Sequence, residues 1–167
     1  MNNIIKRKGA KMKKLLIAID GSDYALKAVD YVSKNFSGED LQIGLFHVLP
    51  YVPAEFWDDG HILTEEEKRS RKNIVDKWVS SQTSKLEPIF SAALKVLTSS
   101  GIKEDRISAK WIADSTDVVG SILEEARTGG YDMLVVGRYG HGSHAGRVGD
   151  ITEQLVRQGS GTTLCVV

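Results

Sequence analysis

Val135-Val136-Gly137-Arg138-Tyr139-Gly140-His141-Gly142-Ser143-His144-Ala145-Gly146-Arg147-Val148-Gly149-Asp150 joins two β-branched apolar residues to five glycines within thirteen positions. Residues 151–158 then read as a helix. A strand that runs into a glycine-rich loop and on to a helix N-terminus sets backbone N–H groups where they can face an anion. Glycine lets the chain turn there and lets a phosphate approach the backbone.

Working outward, the same grammar recurs. Leu15-Leu16-Ile17-Ala18-Ile19 is an unbroken apolar run that suits a strand covered on both faces, and Asp20 stands at its carboxyl end. Ser22 or Asp23 caps a helix in which Ala25, Ala28, Val29 and Val32 recur at helical spacing. Leu41 to Leu49 is a second strand, broken by Pro50 and Pro53. Residues 51–63 show no period and read as a surface excursion holding Phe56, Trp57 and His61.

Thr64 and Glu67 have capping-box spacing and open a long helix, to which Ile74, Trp78, Leu86, Ile89, Phe90, Ala93, Leu94 and Leu97 give a broken apolar face. Pro88 is expected to kink or split it, and Gly101 to end it. Ile107 to Ala113 is a third strand of alternating character. Asp117 to Arg127 is a helix with Val118, Val119, Ile122, Leu123 and Ala126 inward. Tyr131 to Val136 and Thr162 to Val167 complete five strands. Strands alternating with helices predict an α/β fold, one doubly wound parallel sheet in a single domain.

Composition narrows the function. The chain has 167 residues, 41% hydrophobic and 26% charged, enough for one globular core. Lys plus Arg equals Asp plus Glu at 22 each, so no global field argues for nucleic acid. No apolar run is long enough to span a membrane. Cys165 is the one cysteine, which excludes an internal disulfide and fits a reducing, cytoplasmic setting. Residues 1–12 carry Lys6, Arg7, Lys8 and Lys11 and read as a disordered basic extension ahead of a domain over 13–167.

In open parallel sheets, ligands sit beyond the carboxyl ends of strands, where neighbouring connections diverge to opposite faces. Those ends supply Asp20, residues 43–47 and Gly137 onward. An acid beside apolar walls suits a ribose or a base edge, and the glycine loop with its helix suits phosphates. Together they describe a nucleotide site. His141 and His144 near Asp150 read as solvated histidines, His47 as a hydrogen-bonded structural residue, and Trp57, Trp78 and Trp111 as packing. Ser22, Ser115 and Ser143 lack an evident base, so no catalytic constellation is present.

The chain resembles the universal stress protein family. The resemblance covers nearly all of residues 13–167 and rests on Leu15 through Ser22, on Leu45-Phe46-His47-Val48, on Tyr131 through Gly137, and on Gly149 to Val167. It implies an adenine-nucleotide alpha hydrolase-like sheet of order 3-2-1-4-5 and a homodimer through the last strand. It does not imply one activity, since some members bind ATP and others do not.

ATP-binding members carry Gly, two residues, Gly, nine residues, Gly, then Ser or Thr; here Gly137 and Gly140 match, only eight residues separate Gly140 from Gly149, and Asp150 replaces the hydroxyl residue. Carried over by position, Asp20 and Ile43 contact base or ribose, with Ala18 and Val136 as walls. Gly137, Gly140 and Gly149 lie against phosphate and ribose, and Ile151 and Thr152 donate from the helix start. Asp150 itself caps the free N–H groups or repels phosphate, unless Mg2+ or Arg138, Arg147, His141 and His144 offset it. Two function classes stay open: a regulator that binds ATP with Mg2+, and a nucleotide-free dimeric module for a protein partner. Neither is an enzyme; a third reading is an ATPase, since slow ATP hydrolysis or autophosphorylation occurs in parts of the family, but the chain offers no independent residue argument for it.

Overall fold

The structure, a computed structural model, describes residues 12–36, 40–49, 64–113, 116–140, 148–159 and 161–167. The strands are β1 (Lys13–Ala18), β2 (Leu41–Val48), β3 (Ile107–Ile112), β4 (Met133–Val136) and β5 (Thr163–Val166). The helices are α1 (Asp23–Asn35), α2 (Glu65–Ser84), α3 (Leu86–Ser99), α4 (Val118–Thr128) and α5 (Asp150–Gln158). The strands form one parallel sheet of order β3-β2-β1-β4-β5. That is the doubly wound arrangement expected from the alternation of strands and helices.

Helices cover both faces. On one, α1 and α3 pack against Leu15, Ile17, Leu41, Ile43, Leu45 and Val135. On the other, α4 and α5 pack against Leu16, Phe46, Leu134 and Val136. Successive residues of β1 therefore serve opposite cores, which is why the strand reads as an unbroken apolar run. The chain winds outward from β1 to β3, returns through α4 to β4 beside β1, and continues to β5. The crossovers diverge to opposite faces between β1 and β4, and that divergence opens a crevice at their carboxyl ends.

Local chemistry accounts for the helix boundaries. Ser22 Oγ accepts the Ala25 N–H at 3.2 Å, and Ala25, Ala28, Val29 and Val32 are buried as their spacing predicts. Thr64 and Glu67 form the anticipated capping box. Asp117 Oδ1 accepts the Gly120 N–H at 2.8 Å and starts α4. The break attributed to Pro88 falls earlier, at Lys85. Pro88 instead lies in the first turn of α3, where its missing N–H costs no intrahelical bond.

Two expectations about burial need correction. In β3 the alternation does not appear: residues 108–111 are all exposed, because the strand is a sheet edge and few groups cover it. Trp111 accordingly keeps 41% of its surface in solvent. In α2 no residue is fully buried, and Ile74 is 43% exposed; the apolar face of the long helix belongs to α3, through Leu86, Ala93 and Leu97. Among the described residues no helix is long and apolar enough to cross a membrane. The excursion at 51–63, the basic extension over 1–11, His141, His144 and Arg147 lie outside the described residues.

Candidate functional site

The crevice is a cavity of about 570 Å³ at the carboxyl ends of β1, β2 and β4, roofed by the starts of α4 and α5. That volume falls within the roughly 300–1,000 Å³ of small-molecule sites. Strand β1 contributes Ala18 and then Ile19 and Asp20; β4 contributes Val136, Gly137, Tyr139 and Gly140; α5 contributes Gly149 through Thr152. Eight of the nine residues singled out by sequence meet here: Ala18, Asp20, Val136, Gly137, Gly140, Gly149, Ile151 and Thr152.

Ile43 is the ninth, and the structure places it elsewhere. It pairs with Leu15 and Ile107 in the amino half of the sheet, has no exposed surface, and packs on the α1/α3 face. The cavity opens toward α4 and α5 at the other end of β2. There β2 supplies Phe46, His47 and Val48 instead, and α4 adds Val118 and Ile122. Phe46 and His47 fall within the stretch 43–47 that the sequence offered, whereas Val48, Val118 and Ile122 were not assigned to the site. Their signal lies in topology: α4 is the crossover back from β3 to β4, so its first inward positions, one helical turn apart, face the exits of the central strands.

Backbone and side-chain bonds fix the floor. Ile19 N–H donates to the Phe46 carbonyl at 2.9 Å, extending the β1–β2 ladder beyond the strand. His47 Nδ1–H donates to the Ile19 carbonyl at 2.6 Å, the structural role anticipated for it. Asp20 Oδ1 accepts the Ser22 N–H at 2.9 Å, so the acid closes the turn into α1 while lining the cavity. Thr152 is buried, and its Oγ1–H donates to the Gly137 carbonyl at 2.9 Å, tying α5 to the exit of β4.

The loop glycines act through close approach rather than through turning. The described glycines with positive φ are Gly21, Gly101, Gly130 and Gly161; Gly137, Gly140 and Gly149 are not among them. A Cβ on Gly137 would lie 2.7 Å from the Tyr24 carbonyl, so α1 packs directly on the exit of β4. A Cβ on Gly140 would meet Asp20 Oδ2 at 2.9 Å. At Gly137 the close atoms are backbone, so packing alone excludes a side chain; at Gly140 a side chain would require the Asp20 carboxylate to shift.

Gly149 is the N-cap of α5, and no side chain caps this helix. Asp150 therefore does not cap the free N–H groups as the sequence suggested. It occupies the first helical position rather than the N-cap, the position whose side chain accepts from the first-turn N–H groups. Asp150 lines the cavity and is exposed. The first-turn N–H groups and the positive end of the α5 dipole thus face the cavity beside one carboxylate.

Among the described lining residues the charges are Asp20 and Asp150, with His47 the one other ionisable imidazole and no lysine or arginine. Arg138 is exposed and lies over the Tyr139 ring, 5.5 Å from its centroid, while Tyr139 meets Tyr24 edge-on at 4.7 Å. No group of three or more His, Cys, Asp or Glu able to hold a metal occurs among the described residues. The site is an apolar slot with a hydrogen-bonding floor and a helix N-terminus at one end.

No curated protein matches the chain by sequence. Solved structures match its fold. Universal stress protein UspA from Lactobacillus plantarum has a TM-score of 0.63 at 17% identity, over 95% of this chain and 99% of that one. The universal stress protein from Archaeoglobus fulgidus in complex with dAMP has a TM-score of 0.54 at 13% identity, covering 93% and 97%. A universal stress protein family protein from Arabidopsis thaliana with AMP bound has a TM-score of 0.55 at 16% identity, covering 93% and 90%. The sequence pattern of the universal stress protein family matches residues 11–166, nearly the whole length, and the chain belongs to that family.

Proposed function

We propose that the protein is a cytoplasmic, homodimeric stress-response regulator whose cavity takes an adenine nucleotide as a regulatory ligand, ATP or another of that class, with Mg2+ accompanying the phosphates. The observation that carries this reading is the convergence in one cavity of Asp20 beyond β1, the glycine exit of β4 and the α5 N-terminus without a side-chain cap. Apolar walls from Ala18, Val136, Val118 and Ile122 suit a base, and backbone donors suit a phosphate. Relatives of the same fold hold AMP and dAMP.

The reading is of a binding protein rather than an enzyme. Thr152, whose hydroxyl lies at the cavity, donates to the Gly137 carbonyl, and His47 is tied to the Ile19 carbonyl, so this hydroxyl and this imidazole are engaged in structure. Asp150 at the phosphate end favours a second reading, a nucleotide-free dimeric module for a protein partner. The lone Cys165, whose thiol is pushed up by burial, suits a reducing compartment in either case.

The test is direct. Protein purified without added nucleotide is denatured, its supernatant is run on anion exchange, and the native protein is titrated with AMP and with MgATP. Released or titrating adenine nucleotide, with a Kd of about 1 μM to 1 mM, is the expected result. Absence of both selects the second reading.

A further inference from the structure

We infer that the cavity sorts adenine nucleotides by charge, taking a monophosphate in preference to the triphosphate, and that Asp150 sets the preference. The inference rests on the adenine-nucleotide reading above. In a ligand whose base lies among the strand ends, the phosphate runs toward the α5 N-terminus, where no side chain caps the helix. Asp150 is the first residue of that helix and lines the cavity at that end. One carboxylate therefore faces any anion that the helix attracts.

The two influences scale differently with phosphate number. The helix dipole acts within its first turn, so it serves one phosphate well and further phosphates little. Repulsion from Asp150 grows with every added charge. A monophosphate brings about two negative charges, a triphosphate roughly twice that. Asp20 adds a second carboxylate to the lining. Arg138, the cation next to Gly137, lies over the Tyr139 ring and is not among the lining residues. The α5 start thus favours one phosphate group, while the carboxylates of Asp150 and Asp20 oppose each further charge.

Isothermal titration of the full-length, nucleotide-free protein with adenosine, AMP and ATP, in EDTA at fixed salt, tests this. AMP is expected to bind about ten-fold or more tighter than ATP. Asp150→Asn is expected to raise the affinity of ATP relative to AMP about ten-fold, and Asp150→Ser likewise. Added Mg2+ is expected to narrow the gap in the parent protein by neutralising part of the triphosphate. ATP binding as tightly as AMP in the parent protein would overturn the inference and leave the nucleotide reading standing. An ATP-to-AMP ratio unmoved by both substitutions would also overturn it. Failure of adenosine, AMP and ATP alike would overturn the nucleotide reading and this inference with it. The parent-protein comparison needs no variant, so a substitution that failed to fold would not remove the test.

Discussion

The phenol of Tyr131 lies where a side chain on Gly44 would be: a Cβ there would come within 2.8 Å of the ring carbon bearing the hydroxyl. The two residues are far apart in sequence and meet on the sheet face that α4 covers. Burial, with the Glu125 carboxylate adding to it, pushes the Tyr131 phenol up, so the ring stays neutral under ordinary conditions. Gly44→Ala is expected to destabilise the fold by about 1–3 kcal/mol, read as a lower urea midpoint with an unchanged slope. Neither partner stands out in the sequence. A glycine within a strand pattern says only that something approaches closely, not what approaches.

At the scale of elements, α1 shows how local signals and tertiary contacts divide the work. Its cap, its inward residues and its end are all written locally, in Ser22, in Ala25, Ala28, Val29 and Val32, and in the turn after Asn35. Ser22→Ala removes the acceptor for the Ala25 N–H and is expected to cost about 1 kcal/mol, seen as a lower melting temperature. Other properties were not legible. The exposure of β3 depends on its place at the sheet edge, which no window of its own residues encodes. Ile43 shares the composition of the residues around it, and only the register with Leu15 and Ile107 shows that it stands too early in β2 and on the wrong face for the cavity. The cavity residues on β4 and α5 were readable because glycines mark where the backbone comes close. The end of β2 was readable as a stretch through Phe46 and His47, but Val118 and Ile122 on α4 were not, because packing residues that also line a cavity look like any other packing residues.

The whole molecule has two sheet edges, β3 and β5. They differ in what they expose. Residues 108–111 of β3 include Ser108 and Lys110, and a charge on an edge strand discourages pairing. Strand β5 reads Thr-Leu-Cys-Val, carries no charge, and leaves Val166 40% exposed. Its inner side is bonded to β4, and among the described residues no strand pairs with its outer side. A second copy pairing there about a two-fold axis would cover both the apolar surface and that outer side. Val166→Asp is accordingly expected to shift the protein from dimer to monomer in sedimentation velocity at micromolar concentration, with the near-ultraviolet dichroism of each subunit retained. A parent protein that sediments as a monomer at the same concentration would rule out the dimer.

The bond from Gly149 N–H to the Arg138 carbonyl, 3.0 Å, closes the glycine segment at its base, and the Arg138 N–H is itself held by the Val167 carbonyl. One clasp thus joins the chain on either side of residues 141–147. Closing a loop costs only about 0.6 kcal/mol more for each doubling of its length, so one residue more or fewer than the eight between Gly140 and Gly149 is a trivial change for folding. A change in length between Gly140 and Gly149 is therefore expected to leave β4 and α5 in place. The clasp works as a buckle does: it holds the frame shut whatever length of strap passes through it.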